Sequence, residues 1–220
     1  MNILFIGNSY TYYNDMPTLF SRLCGCSGRQ ARVFSVTHGG RKLQENRNPE
    51  DPCTRQLEAV LRESRMDVCF LQEHSVVPIT DFDRFRDSAA ALMALAGPQV
   101  RYILYQTWGR KAGSDFLAER GLTSRTMAQK LFAAYGAAAE QLGAEVSPVG
   151  QCFLEIYENH PEIELYDSDL THPSYEGSCL AAIVHFRTVF GEYPADTGWL
   201  GLAAPVQDVF RQTVERICGR

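Results

Sequence analysis

Two short stretches near opposite ends of the chain hold the side chains that nucleophilic hydrolysis needs. Gly7-Asn8-Ser9-Tyr10 follows the apolar run Asn2-Ile3-Leu4-Phe5-Ile6, and Asp169-Leu170-Thr171-His172-Pro173-Ser174 precedes the last long helical patterns. A serine hydroxyl is inert near neutral pH unless a base accepts its proton. Histidine does so when an acid fixes its tautomer and stabilises the imidazolium. Ser9 is therefore the candidate nucleophile, His172 the base and Asp169 the orienting acid, with Asp167 close enough to substitute. Each piece also has a plainer use: Asn-Ser suits a strand-to-helix turn, and an Asp-x-x-His can serve a capped loop.

The elements that must position these residues follow from the hydrophobic pattern. Short apolar, β-branched runs at 2–6, 32–37, 67–72, 100–106 and 145–149 read as strands. The first four have the composition of strands buried on both faces, as in a parallel sheet. The fifth carries Pro148, which suits a strand end or an edge. Helical patterns lie at 16–26, 52–64, 81–96, 124–142, 174–190 and 205–218, with Asn14-Asp15 before Met16-Pro17 and Ser174 before Tyr175-Glu176 as start signals. Residues 107–123, rich in Gly and polar side chains, form the longest irregular stretch and are placed to overhang the site. Alternating strands and helices predict an α/β fold, a three-layer α/β/α sandwich around a five-stranded parallel sheet. Ligands of such sheets bind beyond the carboxyl ends of the strands. That is where Ser9, His38-Gly39-Gly40, Gln72-Glu73-His74-Ser75 and Thr107-Trp108 fall.

The bulk numbers narrow the function classes. At 220 residues the chain is read as one domain, 1–220, with a single substantial core. A net charge of −5 without a basic cluster argues against nucleic acid or an anionic membrane as partner. No apolar run reaches the length of a membrane span. The opening residues read as a strand and not as a signal peptide. Seven scattered cysteines, odd in number and without a CxxC pair, favour reduced thiols and a cytoplasmic protein.

Together the blocks resemble the SGNH (GDSL-like) hydrolase superfamily, whose flavodoxin-like fold carries a Gly-Asp-Ser block after strand one. A glycine block follows strand two, a Gly-x-Asn-Asp block follows strand three, and Asp-x-x-His lies near the C-terminus. Here the corresponding residues are Gly7-Asn8-Ser9, Gly39-Gly40, Gln72-Glu73-His74-Ser75 and Asp169-Leu170-Thr171-His172. A subgroup of uncharacterised bacterial SGNH-like proteins is more similar still, with Leu-Gln-Glu-x-Ser, Thr-Trp (Thr107-Trp108) and Pro-Val-Gly (Pro148-Val149-Gly150) blocks. The resemblance implies a cofactor-free serine esterase acting on a small-molecule or carbohydrate ester. Its oxyanion hole would use the backbone N–H groups of Ser9 and Gly40, with Gly39 serving the turn. Two departures stand out. Asn8 replaces the usual aspartate, and the oxyanion asparagine is missing, leaving His74 or Gln72 as the side-chain donor. Trp108 is a candidate apolar or sugar-stacking wall, or equally a loop anchor.

Two other readings compete. A flavodoxin-like module could cradle a phosphate or nucleotide on the loop from Ser9 to Thr11, although it lacks a glycine-rich fingerprint and leaves Asp169 and His172 unexplained. A metallohydrolase could draw on His38, His74, Asp169 and His172, but they show no ligand spacing, and no metal is expected. Tyr10, Tyr12 and Tyr13 read as loop packing, His38 and His160 as surface residues, and His185 as structural within a helix.

Overall fold

The computed structural model describes residues 1–219. In chain order the elements are β1 (Asn2–Gly7), α1 (Ser9–Tyr12), α2 (Met16–Cys26), β2 (Arg32–Thr37), α3 (Pro52–Glu63), β3 (Val68–Leu71), α4 (Val77–Thr80) and α5 (Phe82–Ala96). They continue with β4 (Arg101–Tyr105), α6 (Asp115–Glu119), α7 (Ser124–Leu142), β5 (Glu145–Ser147), α8 (Val149–Asn159), α9 (Tyr175–Phe190) and α10 (Ala204–Cys218). The five strands are all parallel, in the order β2-β1-β3-β4-β5. The chain thus leaves β1 toward one edge and returns to the other side of it at β3. That reversal opens a crevice at the carboxyl ends of β1 and β3, where α/β sheets bind ligands.

Alternation along the strands builds a core on each face. Ile3, Phe5, Val68, Phe70, Ile103 and Tyr105 point to the layer of α2, α8, α9 and α10, which contributes Phe20, Phe153, Phe186 and Phe210. Leu4, Ile6, Cys69, Leu71, Tyr102 and Leu104 face α3, α5 and α7, which contribute Leu57, Phe85, Leu131 and Tyr135. Phe5 and Phe70, neighbours across the β1–β3 register, stack at 4.5 Å and 8°. His185 of α9 lies edge-on to Phe70 and Tyr105, fully buried, with Nδ1 2.7 Å from Ser147 Oγ. Burial pushes its pKa down to about 3, so it is a neutral core residue.

The strand and helix pattern agrees with the sequence expectation, with three corrections. β2 is not buried on both faces: only Val36 is buried, and Arg32 and Ser35 are exposed. It pairs with β1 alone and forms one edge of the sheet. The helix α8 was not expected, yet Val149, Cys152, Phe153 and Ile156 are buried at helical spacing. Pro148 ends β5 and sits at the N-cap of α8, so the strand passes into a helix with no intervening loop. Residues 107–123 are not wholly irregular either, since α6 forms within them. Four of the seven cysteines, Cys24, Cys69, Cys152 and Cys179, are buried.

The aromatic stack that joins β1 to β3 underlies the crevice, and its loss is costly. Phe70→Ala, at a side chain with no exposed surface, is expected to destabilise by about 3–5 kcal/mol, measured by denaturant unfolding.

Candidate active site

The turn after β1 is built to present one hydroxyl. Asn8 has extended backbone at the N-cap of α1, where its Oδ1 accepts from the Tyr10 N–H, and its Nδ2 donates to the Arg41 carbonyl at 2.9 Å. The Asn8 N–H donates to Gln72 Oε1 at 2.8 Å, and Thr11 Oγ1 donates to the same oxygen at 2.9 Å. A Cβ on Gly7 would stand 2.5 Å from both Gln72 Oε1 and Thr11 Oγ1, so glycine is required by close approach. Gln72 therefore fastens the β1 turn to the end of β3. Its amide nitrogen donates to the Glu73 carbonyl, and the side chain is 1% exposed. Gln72 thus serves as a loop anchor, its Oε1 and one amide hydrogen engaged within the protein and its side chain shut off from the crevice surface.

The loop between α8 and α9 brings the histidine. An isolated bridge pairs Tyr166 with Pro173, the Asp167 N–H donates to the His172 carbonyl at 2.8 Å, and Leu170 takes a left-handed backbone at φ 62°. Asp169 Oδ1 accepts from the Thr171 and His172 N–H groups at 2.9 and 2.8 Å. Its Oδ2 makes a short hydrogen bond with His172 Nδ1. His172 Nε2 lies 2.7 Å from Ser9 Oγ, joining segments 163 residues apart. Partial burial alone would raise the Asp169 carboxyl. The hydrogen bonds from the His172 ring and from the His172 and Thr171 backbone outweigh it and hold the group below its ordinary value. Asp167 instead accepts from the backbone and hydroxyl of Ser168. Of the two acids, Asp169 meets the imidazole.

Aromatic rings surround His172. Tyr13 stacks flat on it at 4.3 Å and 11°, and Tyr10 lies edge-on at 5.6 Å. Beneath Tyr10 lies Trp108, stacked between Tyr10 at 4.5 Å and Phe153 at 4.0 Å. Trp108 has no exposed surface, and its Nε1–H donates to the Thr171 carbonyl at 3.1 Å. The suggested sugar-stacking role is corrected accordingly: a ring packed on both faces cannot meet a substrate, and Trp108 anchors the histidine loop from below.

The glycine block forms a tight turn in which the Arg41 N–H donates to the His38 carbonyl. Gly40, at φ 67°, carries the left-handed backbone, so the turn depends on Gly40 and not on Gly39 as expected. Among the described residues neither the Gly39 nor the Gly40 N–H has a protein acceptor, leaving both available to a ligand. Beside them is a polar cavity of about 380 Å³ lined by His38, Gly39, Gly40, Glu45, Asn48 and Asp51. Burial first, then the charges of Lys42 and Arg110, lower the His74 pKa and favour its neutral form. His38 is exposed with Nδ1 on the Gly39 carbonyl, and His160 pairs with Glu162. Among the described residues no group of three or more His, Cys, Asp or Glu side chains is disposed to hold a metal ion. None of their helices is long and apolar enough to cross a membrane.

Glu73 is a fully buried carboxyl whose Oε1 accepts from the His74 N–H at 2.6 Å and the Leu43 N–H at 3.2 Å. It thereby joins the segment after the glycine turn to the end of β3. In sequence it stands between Gln72 and His74, so residue type alone does not single it out.

No protein-family model and no curated protein matches the chain. Solved structures do. A candidate SGNH hydrolase from Slackia heliotrinireducens is 31% identical, covering 86% of this chain and 98% of its own, with a TM-score of 0.75. A DUF4886 family protein from Bacteroides uniformis shares the fold with a TM-score of 0.82 at 16% identity, over 98% of this chain and 93% of its own. The acetyl xylan esterase AlAXEase shares it with a TM-score of 0.65 at 18% identity, over 86% and 100%. The chain belongs to the SGNH hydrolase superfamily. That membership places it among the hydrolases.

Burial raises the Glu73 pKa to about 7, against hydrogen bonds from His74 and Leu43 that lower it. The folded state therefore holds this proton more tightly than the unfolded chain, whose carboxyl titrates at about 4.3. The resulting stabilisation is full below that value and is lost as pH rises through about 7. Glu73→Gln mimics the neutral acid and is expected to remove this decline. Relative to wild type the variant should gain up to about 3 kcal/mol between pH 4 and 8, read from unfolding curves across that range.

Proposed function

We propose that the protein hydrolyses carboxylic esters with short acyl groups, acetyl foremost, through an acyl-enzyme on Ser9. The observation that carries this is the unbroken hydrogen-bonded line Asp169–His172–Ser9 at the carboxyl end of β1. In the tautomer that this line requires, His172 Nδ1–H donates to Asp169 and Nε2 accepts the Ser9 hydroxyl. As Ser9 Oγ attacks the carbonyl carbon, its proton passes to Nε2 and the imidazolium is held by the Asp169 carboxylate. The tetrahedral oxyanion is met by the backbone N–H groups of Ser9 and Gly40. His74 is the remaining side-chain candidate, with Gln72 engaged elsewhere. Nε2–H then protonates the leaving alkoxide. Water, deprotonated by the same nitrogen, cleaves acyl-Ser9 and frees the carboxylic acid.

The polar cavity beside the glycine turn suits a hydroxyl-bearing alcohol portion, and an acetylated carbohydrate is the substrate class we favour. All of these parts lie on what we take to be one catalytic domain, residues 1–220. A phosphate or nucleotide binding module would give no purpose to the Ser9–His172 hydrogen bond.

On a chromogenic acetyl ester, Ser9→Ala and His172→Ala are each expected to lower kcat by about 10⁴–10⁶, and the double variant by little more, because each breaks the same proton-transfer unit. Additive losses would show that the two residues act separately. Asp169→Asn should keep the fold and cost about 10²–10⁴. A fluorophosphonate should label Ser9 and no other serine, checked by peptide mass spectrometry. For the oxyanion site, His74→Ala is expected to reduce kcat about 10²–10³-fold with little change in KM. A wild-type rate there would leave the backbone donors alone.

A further inference from the structure

We infer that Tyr13 and Asn14 form a positioning clamp on His172, in which Tyr13 supports the imidazolium and Asn14 holds Tyr13 in place. The inference rests on the catalytic roles proposed above for Ser9, His172 and Asp169, and it assigns roles to two residues outside that triad. The Tyr13 ring lies parallel to the imidazole at 4.3 Å. Rotation of His172 about its ring bond would break its hydrogen bonds to Asp169 and Ser9 together, and a ring lying flat on one face opposes that rotation. The same face is electron-rich. It attracts a cation more than a neutral ring, so the stacking strengthens as His172 takes the Ser9 proton.

The backbone beneath Tyr13 is strained in a way that packing alone does not explain. Asn14 and Asp15, neither of them glycine, both take left-handed conformations, at φ 52° and 53°. Left-handed backbone is unfavourable for residues that carry a Cβ and persists where the surroundings hold it. What holds Asn14 is the histidine segment. Its Nδ2 lies within hydrogen-bond distance of the Pro173 carbonyl (3.2 Å), the Ser174 carbonyl (3.0 Å) and Ser178 Oγ (2.9 Å). Ser178 Oγ in turn donates to the Tyr13 carbonyl at 3.2 Å. Residues on both sides of the stacked pair are thus tied across the site. The titratable groups that face His172 are Asp169 on its own loop, with Asp167 nearby, and Tyr10 and Tyr13 from the N-terminal segment, with Tyr12 tilted against Tyr13. Tyr13 is half-buried and Asn14 exposed, so substitutions there leave the core intact.

The test compares kcat, KM and the pH dependence of kcat/KM on p-nitrophenyl acetate for wild type, Tyr13→Phe, Tyr13→Leu and Asn14→Gly, with Ser9→Ala as the control and circular dichroism on each. Tyr13→Leu is expected to lower kcat about tenfold with KM held within about twofold. Its acid limb should move about 0.4–0.7 pH unit lower, because the imidazolium loses its electron-rich neighbour. Tyr13→Phe retains the ring and should keep both the rate and the limb. Asn14→Gly takes the left-handed backbone without strain but lacks the amide, and should lower kcat as Tyr13→Leu does. A Tyr13→Leu profile that superimposes on wild type, a Tyr13→Phe that falls with it, or a wild-type kcat in Asn14→Gly overturns the clamp while the triad stands. Full activity in Ser9→Ala overturns both.

Discussion

Everything at this site depends on holding a serine hydroxyl and a histidine ring, 163 residues apart in sequence, within 2.7 Å of each other. A hydrogen bond of that kind is worth about a kilocalorie net and cannot by itself hold two loops in register. The register comes from what surrounds it. Gln72 pins the serine turn from the end of β3, Trp108 holds the Thr171 carbonyl from below, and the Lys111 N–H donates to the Leu170 carbonyl from the side. Three of the sheet's strand ends therefore take part in placing two side chains. This is the physical sense in which a parallel sheet makes an active site: its carboxyl ends converge on one crevice, and each contributes a loop of different length.

The crevice has a polar floor, and that floor carries a cost. Glu73, Thr107 and Tyr135 are each fully buried, with the Tyr135 hydroxyl set against the Thr107 side chain and the Glu73 and Thr107 backbone. Taking polar groups out of water opposes folding. Offsetting it are the two apolar layers on either side of the sheet, where Phe5, Phe70 and the rings of α8 to α10 are buried. Stability is concentrated low in the strands and polarity at their carboxyl ends.

Much of this was legible in the chain, because strand runs and amphipathic helices are local patterns. The five strands and six long helices could be read from apolar periodicity, and Ser9, His172 and Asp169 from residue type. What could not be read was relational. β2 has the composition of an inner strand and lies at an edge, since strand order depends on which crossovers pack best and not on the strand's own residues. α8 was hidden by Pro148 and Gly150, which resemble punctuation until the helix is seen to begin directly on the proline. Gln72 and Trp108 carry groups that could serve a substrate, yet both are used up within the protein. A side chain's capacity to donate or stack is visible in sequence; whether that capacity is already spent is not.

The same distinction bears on the missing oxyanion asparagine. If an enzyme relied on a single side-chain donor, its loss would have to be replaced by another at the same place. Here the glycine turn offers two backbone N–H groups without acceptors among the described residues, and backbone donors need no side-chain ordering to act. The left-handed Gly40 is what makes that turn possible, and Asn8, which donates to the Arg41 carbonyl at the end of the same turn, couples it to the turn that carries Ser9. The replacement of aspartate by asparagine at position 8 is then not a neutral departure. An aspartate carboxylate could accept from Tyr10 but could not donate to Arg41, so the amide links the Ser9 turn to the glycine turn through a bond that the acid cannot make.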